Sequence, residues 1–457
     1  MNPQVFREYD IRGLVATDLT PQFAEQLGRG LGSYLQEKTN GQATRLALGR
    51  DVRISSVRLR ERMIAGLNAA GIDVMDVGVV PTPLTYFAAN TLPVDGLCMI
   101  TGSHNPPEYN GFKVGVGRTT LHGNEIQELR ALIEAGRFQS GKGNVTPFDI
   151  VTPYLHYVTQ TLKLGPRKLK VVIDGGNGCG GAVAVPLFQR LGAEVIPLFV
   201  EPDGNFPNHH PDPTVTKNLQ HLIAKVKATR ADFGIAYDGD ADRVGAIDEK
   251  GNILWGDQLM ILFARDILEE KPGATIVSEV KCSMTLYDDI AKRGGRGIMW
   301  KAGHSLIKAK MKEEKAELAG EMSGHIFFKH RYFGFDDGVY SSARLYELLS
   351  RTDMPLSALL SDVPKTFASP EIRADFPEEK KFEAAKRAAA YLRGLGHETI
   401  EVDGVRVVFE DGWGLIRASN TQPLLVLRFE ATSEKRLGEI QRLIEGAVER
   451  VRGELSA

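Results

Sequence analysis

Val94-Asp-Gly-Leu-Cys-Met-Ile-Thr-Gly-Ser103 carries a small apolar residue and an acid, five residues that read as a short strand, and a polar-glycine-polar triplet. The apolar run stops abruptly in Thr101-Gly-Ser-His-Asn-Pro-Pro-Glu-Tyr-Asn-Gly111, a loop holding a serine, a histidine and two prolines. Asn110-Gly111 is expected to turn the chain tightly into Phe112-Lys113-Val114. Taken alone, the stretch reads equally as a polar connection between two strands. Its frame, however, recurs at Ala231-Asp-Phe-Gly-Ile-Ala-Tyr-Asp-Gly-Asp240 and at Ala316-Glu-Leu-Ala-Gly-Glu-Met-Ser-Gly-His325. Each copy follows a helical pattern, at 85–90, 219–229 and 305–314. Each also has an earlier strand-to-loop junction, at 46–51, 171–178 and 276–283. Three matches ending in chemically loaded triplets predict three copies of one α/β unit. Each copy offers a loop at the carboxyl end of a strand, where open α/β sheets place their ligands.

Helical and strand patterns alternate along most of the chain, which predicts layered α/β domains with largely parallel sheets. The intervals between copies give units 1–148, 149–250, 251–364 and 365–457. The last unit differs. It reads as a helix at 382–395, strands at 399–409, 414–417 and 424–429, and a closing amphipathic helix at 433–452. This smaller α+β module has no copy of the triplet.

The bulk composition narrows the partners. The 457 residues are 42% hydrophobic and 25% charged, with a formal net charge of −2. That balance gives no reason to expect nucleic acid or a membrane surface, while leaving room for a local cationic pocket. The amino terminus has no apolar signal core, and no stretch approaches the roughly 18 apolar residues of a membrane span. Cys98, Cys179 and Cys282 lie far apart, which argues against a disulfide framework or a zinc site and suits the cytoplasm. A monomer acting on small molecules is expected.

Asp238-Gly-Asp-Ala-Asp-Arg243 sets three carboxylates at alternate positions. Such a concentration of like charge is unfavourable unless a hard cation or several donors answer it. A helix-loop-helix calcium loop is one alternative, since Glu249 stands twelfth from Asp238. Against it, Arg243 occupies the sixth place, where the bend needs glycine, and the flanks at 233–237 and 244–247 read as strands. Magnesium, held by few carboxylates with water or phosphate oxygens around it, fits better. Glu321-Met-Ser-Gly-His325 offers a carboxylate and a hydroxyl, which suit sugar hydroxyls that both donate and accept. His325 alone reads as well as a satisfied core histidine. Arg417-Ala-Ser-Asn-Thr421, with Arg428, offers guanidinium, hydroxyls, an amide and loop N–H donors, a set matching a phosphate monoester dianion. A surface turn is its plainer alternative. Together a serine, a three-carboxylate loop, a polyol loop and a phosphate clamp spell phosphoryl transfer on a sugar phosphate.

In this order, TGSHNP, DGDADR, GEMSGH and RASNT resemble the four signature loops of the α-D-phosphohexomutases. The likeness spans essentially the whole chain, including Tyr9-Asp-Ile-Arg-Gly13, and is greatest to the bacterial phosphomannomutase/phosphoglucomutase branch. Phosphoglucosamine mutases commonly carry glutamine where Met322 stands. The resemblance implies three similar α/β domains with mixed sheets and a C-terminal α+β domain of the TATA-binding-protein-like fold, around a central cleft. It implies reversible phosphoryl transfer between the 1- and 6-positions of glucose and mannose phosphates. Ser103 would carry the phosphoryl group, and a hexose 1,6-bisphosphate would be intermediate and activator. Mg²⁺ would be held by Asp238, Asp240, Asp242 and an oxygen on Ser103. By motif position, Arg12, His104, Lys113 and Arg243 would surround the transferring group. Tyr9, Lys281, His304, Glu321, Ser323 and His325 would face the sugar, and Arg417, Ser419, Asn420 and Thr421 its far phosphate. Lys113 and His304 are both candidates for the proton of the accepting hydroxyl, and the sequence does not choose.

Alternatives stay open at this point. A mutase for glucosamine phosphate shares the fold. A magnesium phosphatase would use Asp238 as nucleophile, although it has no need of the serine loop or a second phosphate clamp. A non-enzymatic sugar-phosphate sensor would show loss of Ser103 or of a loop aspartate, and neither is lost. Glucose and mannose differ at a single hydroxyl, so the preference between them is not readable.

Overall fold

Three of the four sheets are built around the strand that ends in a signature triplet. The computed structural model describes residues 2–419 and 423–456. In the first sheet Ile11–Leu14, Tyr109–Val116, Gly96–Ile100, Arg45–Arg50, Asp73–Val79 and Val145–Pro147 lie side by side in that order. The second runs Ile253–Leu254, Val244–Asp248, Phe233–Tyr237, Lys170–Asp174 and Glu194–Leu198, and the third Ile326–Phe328, Leu318–Gly320, Thr275–Glu279 and Arg296–Trp300. Each triplet strand is parallel to its neighbour on one side: Arg45–Arg50, Lys170–Asp174 or Thr275–Glu279. It is antiparallel to the strand that follows it: Tyr109–Val116, Val244–Asp248 or Ile326–Phe328. The sheets are therefore mixed. That antiparallel return throws each triplet loop out at one edge of its domain.

The helices Thr82–Thr91, Gln220–Thr229 and His304–Glu313 stand where the helical patterns predict them. Every residue of Gly96–Ile100, Phe233–Tyr237 and Leu318–Gly320 is buried, as expected of strands covered on both faces. A single apolar cluster joins Ala47 and Leu97 of the first sheet to Ile173 and Ile235 of the second and Ile276 and Leu318 of the third. This shared core fixes the three loops relative to one another.

Two expectations are corrected. Asn110-Gly111 makes no turn; both residues lie inside Tyr109–Val116, paired with Gly13 and Arg12. The reversal comes earlier, where Tyr109 N donates to Pro106 O at 3.0 Å. Gly111 answers a different need, since a Cβ there would lie 2.7 Å from Ile11 O and 2.9 Å from Thr101 O. The expected break after 250 also falls inside the second sheet, whose edge strand is Ile253–Leu254.

The last sheet is antiparallel, in the order Phe367–Ala368, Leu424–Ala431, Gly412–Ala418, Val405–Phe409, Glu398–Ile400, with Ile372–Asp375 also against Leu424–Ala431. Helices Lys381–Gly394 and Glu434–Ser456 lie on it. Ile440, Ile444, Ala447, Val448 and Val451, spaced for one helical face, pack with Val405, Val407 and Leu427. Trp413 and Leu415 meet Val280 of the third domain, and Arg406 Nη1 donates to Val280 O at 2.6 Å and Cys282 O at 2.7 Å. The three cysteines are free and buried. Among the described residues no helix is long and apolar enough to cross a membrane.

Candidate active site

Ser103 follows the buried strand Gly96–Ile100 with φ at 48°, a left-handed backbone that residues other than glycine seldom adopt. Ser103 N donates to Thr101 Oγ1 at 2.8 Å. Its hydroxyl donates to Asp238 Oδ2 at 2.7 Å, across the junction of the first two domains, and lies 3.0 Å from His104 Nδ1. Arg12, on the edge strand Ile11–Leu14, reaches Asn105 Oδ1 at 2.8 Å and Asp10 Oδ2 at 2.6 Å. Burial, then the cations Arg243 and Arg12, hold the His104 imidazole well below its usual range.

Asp238, Asp240 and Asp242 lie between two antiparallel strands, which disposes of a helical calcium loop. Glu249 turns away and pairs with Ser357. All three aspartates are buried, and one oxygen of each lies within 4.8 Å of the others. Lys113 Nζ pairs with Asp242 and lies 3.5 Å from Asp240 Oδ2, which also accepts from Thr82 Oγ1. These donors leave Asp240 Oδ1 and Asp242 Oδ1 buried without a hydrogen-bond partner among the described residues. Burial, with Asp242 and Asp240 alongside, holds the Asp238 carboxyl well above the usual range. Burial acts the same way on Asp240, but Lys113 and Thr82 outweigh it and hold this carboxyl below the usual range. Burial disfavours charge on Lys113, yet Asp240 and Asp242 keep it an ammonium. Three enclosed carboxyl groups against the Lys113 ammonium and the Arg243 guanidinium, with two carboxylate oxygens that make no hydrogen bond among the described residues, fit a hard divalent cation.

The third domain faces this cluster. Glu321 Oε1 accepts from Gly303 N at 2.5 Å, tying the Glu321–His325 loop to the start of the helix that carries His304. Ser323 Oγ lies 3.5 Å from Glu321 Oε2. Tyr9 OH donates to Ala302 O at 3.1 Å, and its ring lies 5.8 Å from that of His304, so the first and third domains meet here. Burial, then Lys308, keep the His304 imidazole neutral. His325 lies beside the carboxylate loop. Arg243 Nε donates to its Nε2 at 2.9 Å, which puts the proton on Nδ1, 3.1 Å from Asp336 Oδ2. Through the Arg243 contact His325 joins the carboxylate loop to the third domain.

At the junction of the third and fourth domains, Lys281 Nζ lies 3.4 Å from Glu279 and 3.3 Å from Glu371. Burial pushes the Glu279 carboxyl up to about 7, with Lys281 opposing. Arg417 Nε donates to Asp403 Oδ2 at 2.9 Å, and the same oxygen accepts from Ala302 N at 3.1 Å. Ser419 is buried just past the strand Gly412–Ala418. Asn420 and Thr421 lie outside the described residues. A chain of contacts thus links Tyr9, His304, Glu321 and Arg417 through Ala302, Gly303 and Asp403.

Models of four known domains match the chain in order. Those described as phosphoglucomutase/phosphomannomutase alpha/beta/alpha domains I, II and III match residues 3–140, 152–251 and 255–367, and the C-terminal domain matches 371–447. The chain belongs to the phosphoglucomutase/phosphomannomutase family. A phosphomannomutase/phosphoglucomutase of Pseudomonas aeruginosa is 48% identical over 450 residues, covering 98% of this chain and 96% of its own. A phosphoglucomutase of Neisseria meningitidis is 47% identical over 450 residues, covering 97% and 96%. The crystal structure of a phosphoglucomutase/phosphomannomutase family protein from Burkholderia thailandensis superposes with a TM-score of 0.93 at 43% identity, covering 98% of each chain.

Within this family frame, several residues escaped the sequence reading. Thr82 and Asp403 gave no local signal, because Thr82 meets Asp240 and Asp403 meets Ala302 across a domain junction; Asp403 also pairs with Arg417 of its own domain. Asp336 and Lys308, 3.2 Å apart beneath His304 and His325, gave one: adjacent acids, Asp336-Asp337, directly before the helix Gly338–Ser350. Arg53 lies just past the expected junction at 46–51, with no motif around it in the sequence.

Proposed function

We propose that the chain moves a phosphoryl group reversibly between the 1- and 6-positions of glucose and mannose phosphates, with Ser103 as its carrier. The observation that carries this reading is the Ser103 hydroxyl, 2.7 Å from Asp238, beside two orphaned carboxylate oxygens. A phosphatase with Asp238 as nucleophile has no use for that hydroxyl. As phosphoserine, Ser103 bears a charge of about −1.5 to −2. The free hydroxyl oxygen of the substrate bonds to phosphorus as the Oγ–P bond breaks; its proton passes to the neutral His304 imidazole, while Lys113, held as an ammonium, can give a proton to the departing Ser103 oxygen. The hexose 1,6-bisphosphate so formed turns end for end, and its other phosphoryl group returns to Ser103.

Arg12, His104, Lys113 and Arg243 are placed to gather round the transferring group and offset its charge. Asp238, Asp240 and Asp242 would hold Mg²⁺ together with an oxygen on Ser103, which supplies further neutralisation of that charge. Glu321 and Ser323 suit the sugar hydroxyls that remain equivalent in both orientations. Tyr9, Lys281, Arg417, Ser419, Asn420 and Thr421 would hold the sugar and its far phosphate. Every loop comes from one chain, each from its own unit (1–148, 149–250, 251–364 and 365–457, with the second break shifted past Leu254), so a monomer suffices. Three buried free thiols suit the cytoplasm.

A coupled assay primed with glucose 1,6-bisphosphate tests the reading. Glucose 1-phosphate and mannose 1-phosphate should both be converted to their 6-phosphates faster than glucosamine 1-phosphate. Chelation should abolish turnover and Mg²⁺ restore it. Release of inorganic phosphate instead of the isomer, or full rate in excess chelator, would contradict it.

A further inference from the structure

Arg53 belongs to none of the four loops, yet it is 1% exposed and among the largest fully buried side chains. It stands at the N-cap of the helix Ile54–Ala69, seated by Asp51, whose Oδ1 accepts from Arg53 N at 3.0 Å and whose Oδ2 lies 3.2 Å from Arg53 Nε. From this seat the guanidinium gathers four carbonyls of the serine loop. Nη1 donates to Pro106 O at 2.6 Å and Tyr109 O at 3.0 Å, while Nη2 donates to Ser103 O at 2.8 Å and to Asn105 O. Asp51 Oδ2 completes the grip by accepting from Gly102 N at 3.0 Å. The second domain closes over the pair. The Phe206 ring covers the guanidinium at 5.3 Å, and a Cβ on Gly204 would lie 2.5 Å from Val52 O. His210 Nε2, four residues beyond Phe206, donates to His104 O.

We propose that Arg53 is the positioning residue of the serine loop, holding Ser103 in its left-handed conformation through the loop's own carbonyls. The proposal rests on the reading of Ser103 as phosphoryl carrier. Its logic is electrostatic as well as steric. Carbonyl oxygens turned toward a phosphoserine dianion would repel it, and Arg53 turns four of them inward onto a cation. A planar fork of five N–H donors can serve four acceptors at once, whereas a lysine ammonium offers three donors from a single point. Arg53 acts on Ser103 through the loop, since it is enclosed by the loop, Asp51 and Phe206.

The test follows Ser103 phosphorylation by glucose 1,6-bisphosphate, read by time-resolved intact mass, beside steady-state kinetics on the full chain. Arg53→Lys should lower both the phosphorylation rate and kcat by about ten- to a hundredfold, the range for losing one or two charge-assisted hydrogen bonds. KM for glucose 1-phosphate should stay within about threefold, because that change touches only the transfer step. Phe206→Leu, which keeps the cation but uncovers it, should give the same pattern with a smaller loss. Wild-type phosphorylation and kcat in Arg53→Lys, or a loss that appears equally in KM, would overturn the proposal. If Arg53→Lys does not fold, Phe206→Leu decides, and an unchanged kcat overturns it. A phosphoryl group on Ser103→Ala would instead sink the carrier assignment, a separate failure.

Discussion

His209 has an acceptor on each side of its ring: Nδ1 lies 2.9 Å from His210 O and Nε2 lies 3.0 Å from Asp174 Oδ2. Only an imidazolium has two protons to give. Burial lowers its pKa, but the hydrogen bond and charge of Asp174 outweigh burial and hold it above the ordinary 6.5. The folded state therefore favours the charged ring. That contribution is complete below the unfolded pKa of about 6.5 and is lost as pH rises through the higher folded value. Thermal unfolding followed from about pH 5.5 to 8.5 should show Tm falling more steeply in the wild type than in His209→Asn. Parallel curves would mean that the ring is neutral in the folded protein. Ser103 and the three aspartates were legible in the sequence because their chemistry is concentrated in one short stretch each. His209 was not, because a histidine declares its charge only through partners, and Asp174 stands 35 positions away.

Among the elements, the three triplet strands were legible because each is a short buried run ending in glycine and polar residues. The Asn110-Gly111 signal misled for a physical reason. The pair is common in tight turns, but here Gly111 serves the close approach of Ile11 and Thr101, while Asn110 Nδ2 donates to Ser55 Oγ at 2.8 Å and Ser56 Oγ at 2.9 Å. Close approach also explains the glycines around the carboxylate loop. A Cβ on Gly178 would lie 2.5 Å from Gly239 O, and one on Gly239 would lie 2.5 Å from Ser103 O. The loops of the first two domains thus touch backbone to backbone. Gly239→Ala should force them apart, costing about 1–3 kcal/mol in stability as overpacking does. It should also lower kcat more than about tenfold, although every polar group of the site is retained, since small misplacements of reacting groups are costly. Kinetics and Tm measured together check this, and a wild-type kcat would show that the contact does not set the Ser103 position.

At the scale of the whole chain, the number and kind of domains could be read from a repeat, but their docking could not. Thr82 meets Asp240 across 158 positions and Tyr9 meets Ala302 across 293, and no local pattern marks either pair. Arg53 under Phe206 and Asp403 against Ala302 are of the same kind. Yet the site exists only through that docking, since the first domain supplies Ser103 and the second its carboxylates. The most direct measurement of the central claim is therefore the intact mass of the full chain after incubation with glucose 1,6-bisphosphate, with peptide mapping. The account predicts a gain of one phosphoryl group, located on Ser103, absent in Ser103→Ala and discharged when glucose 1-phosphate is added. A phosphoryl group found on Asp238, or no gain in a chain that still isomerises hexose phosphates, would contradict it.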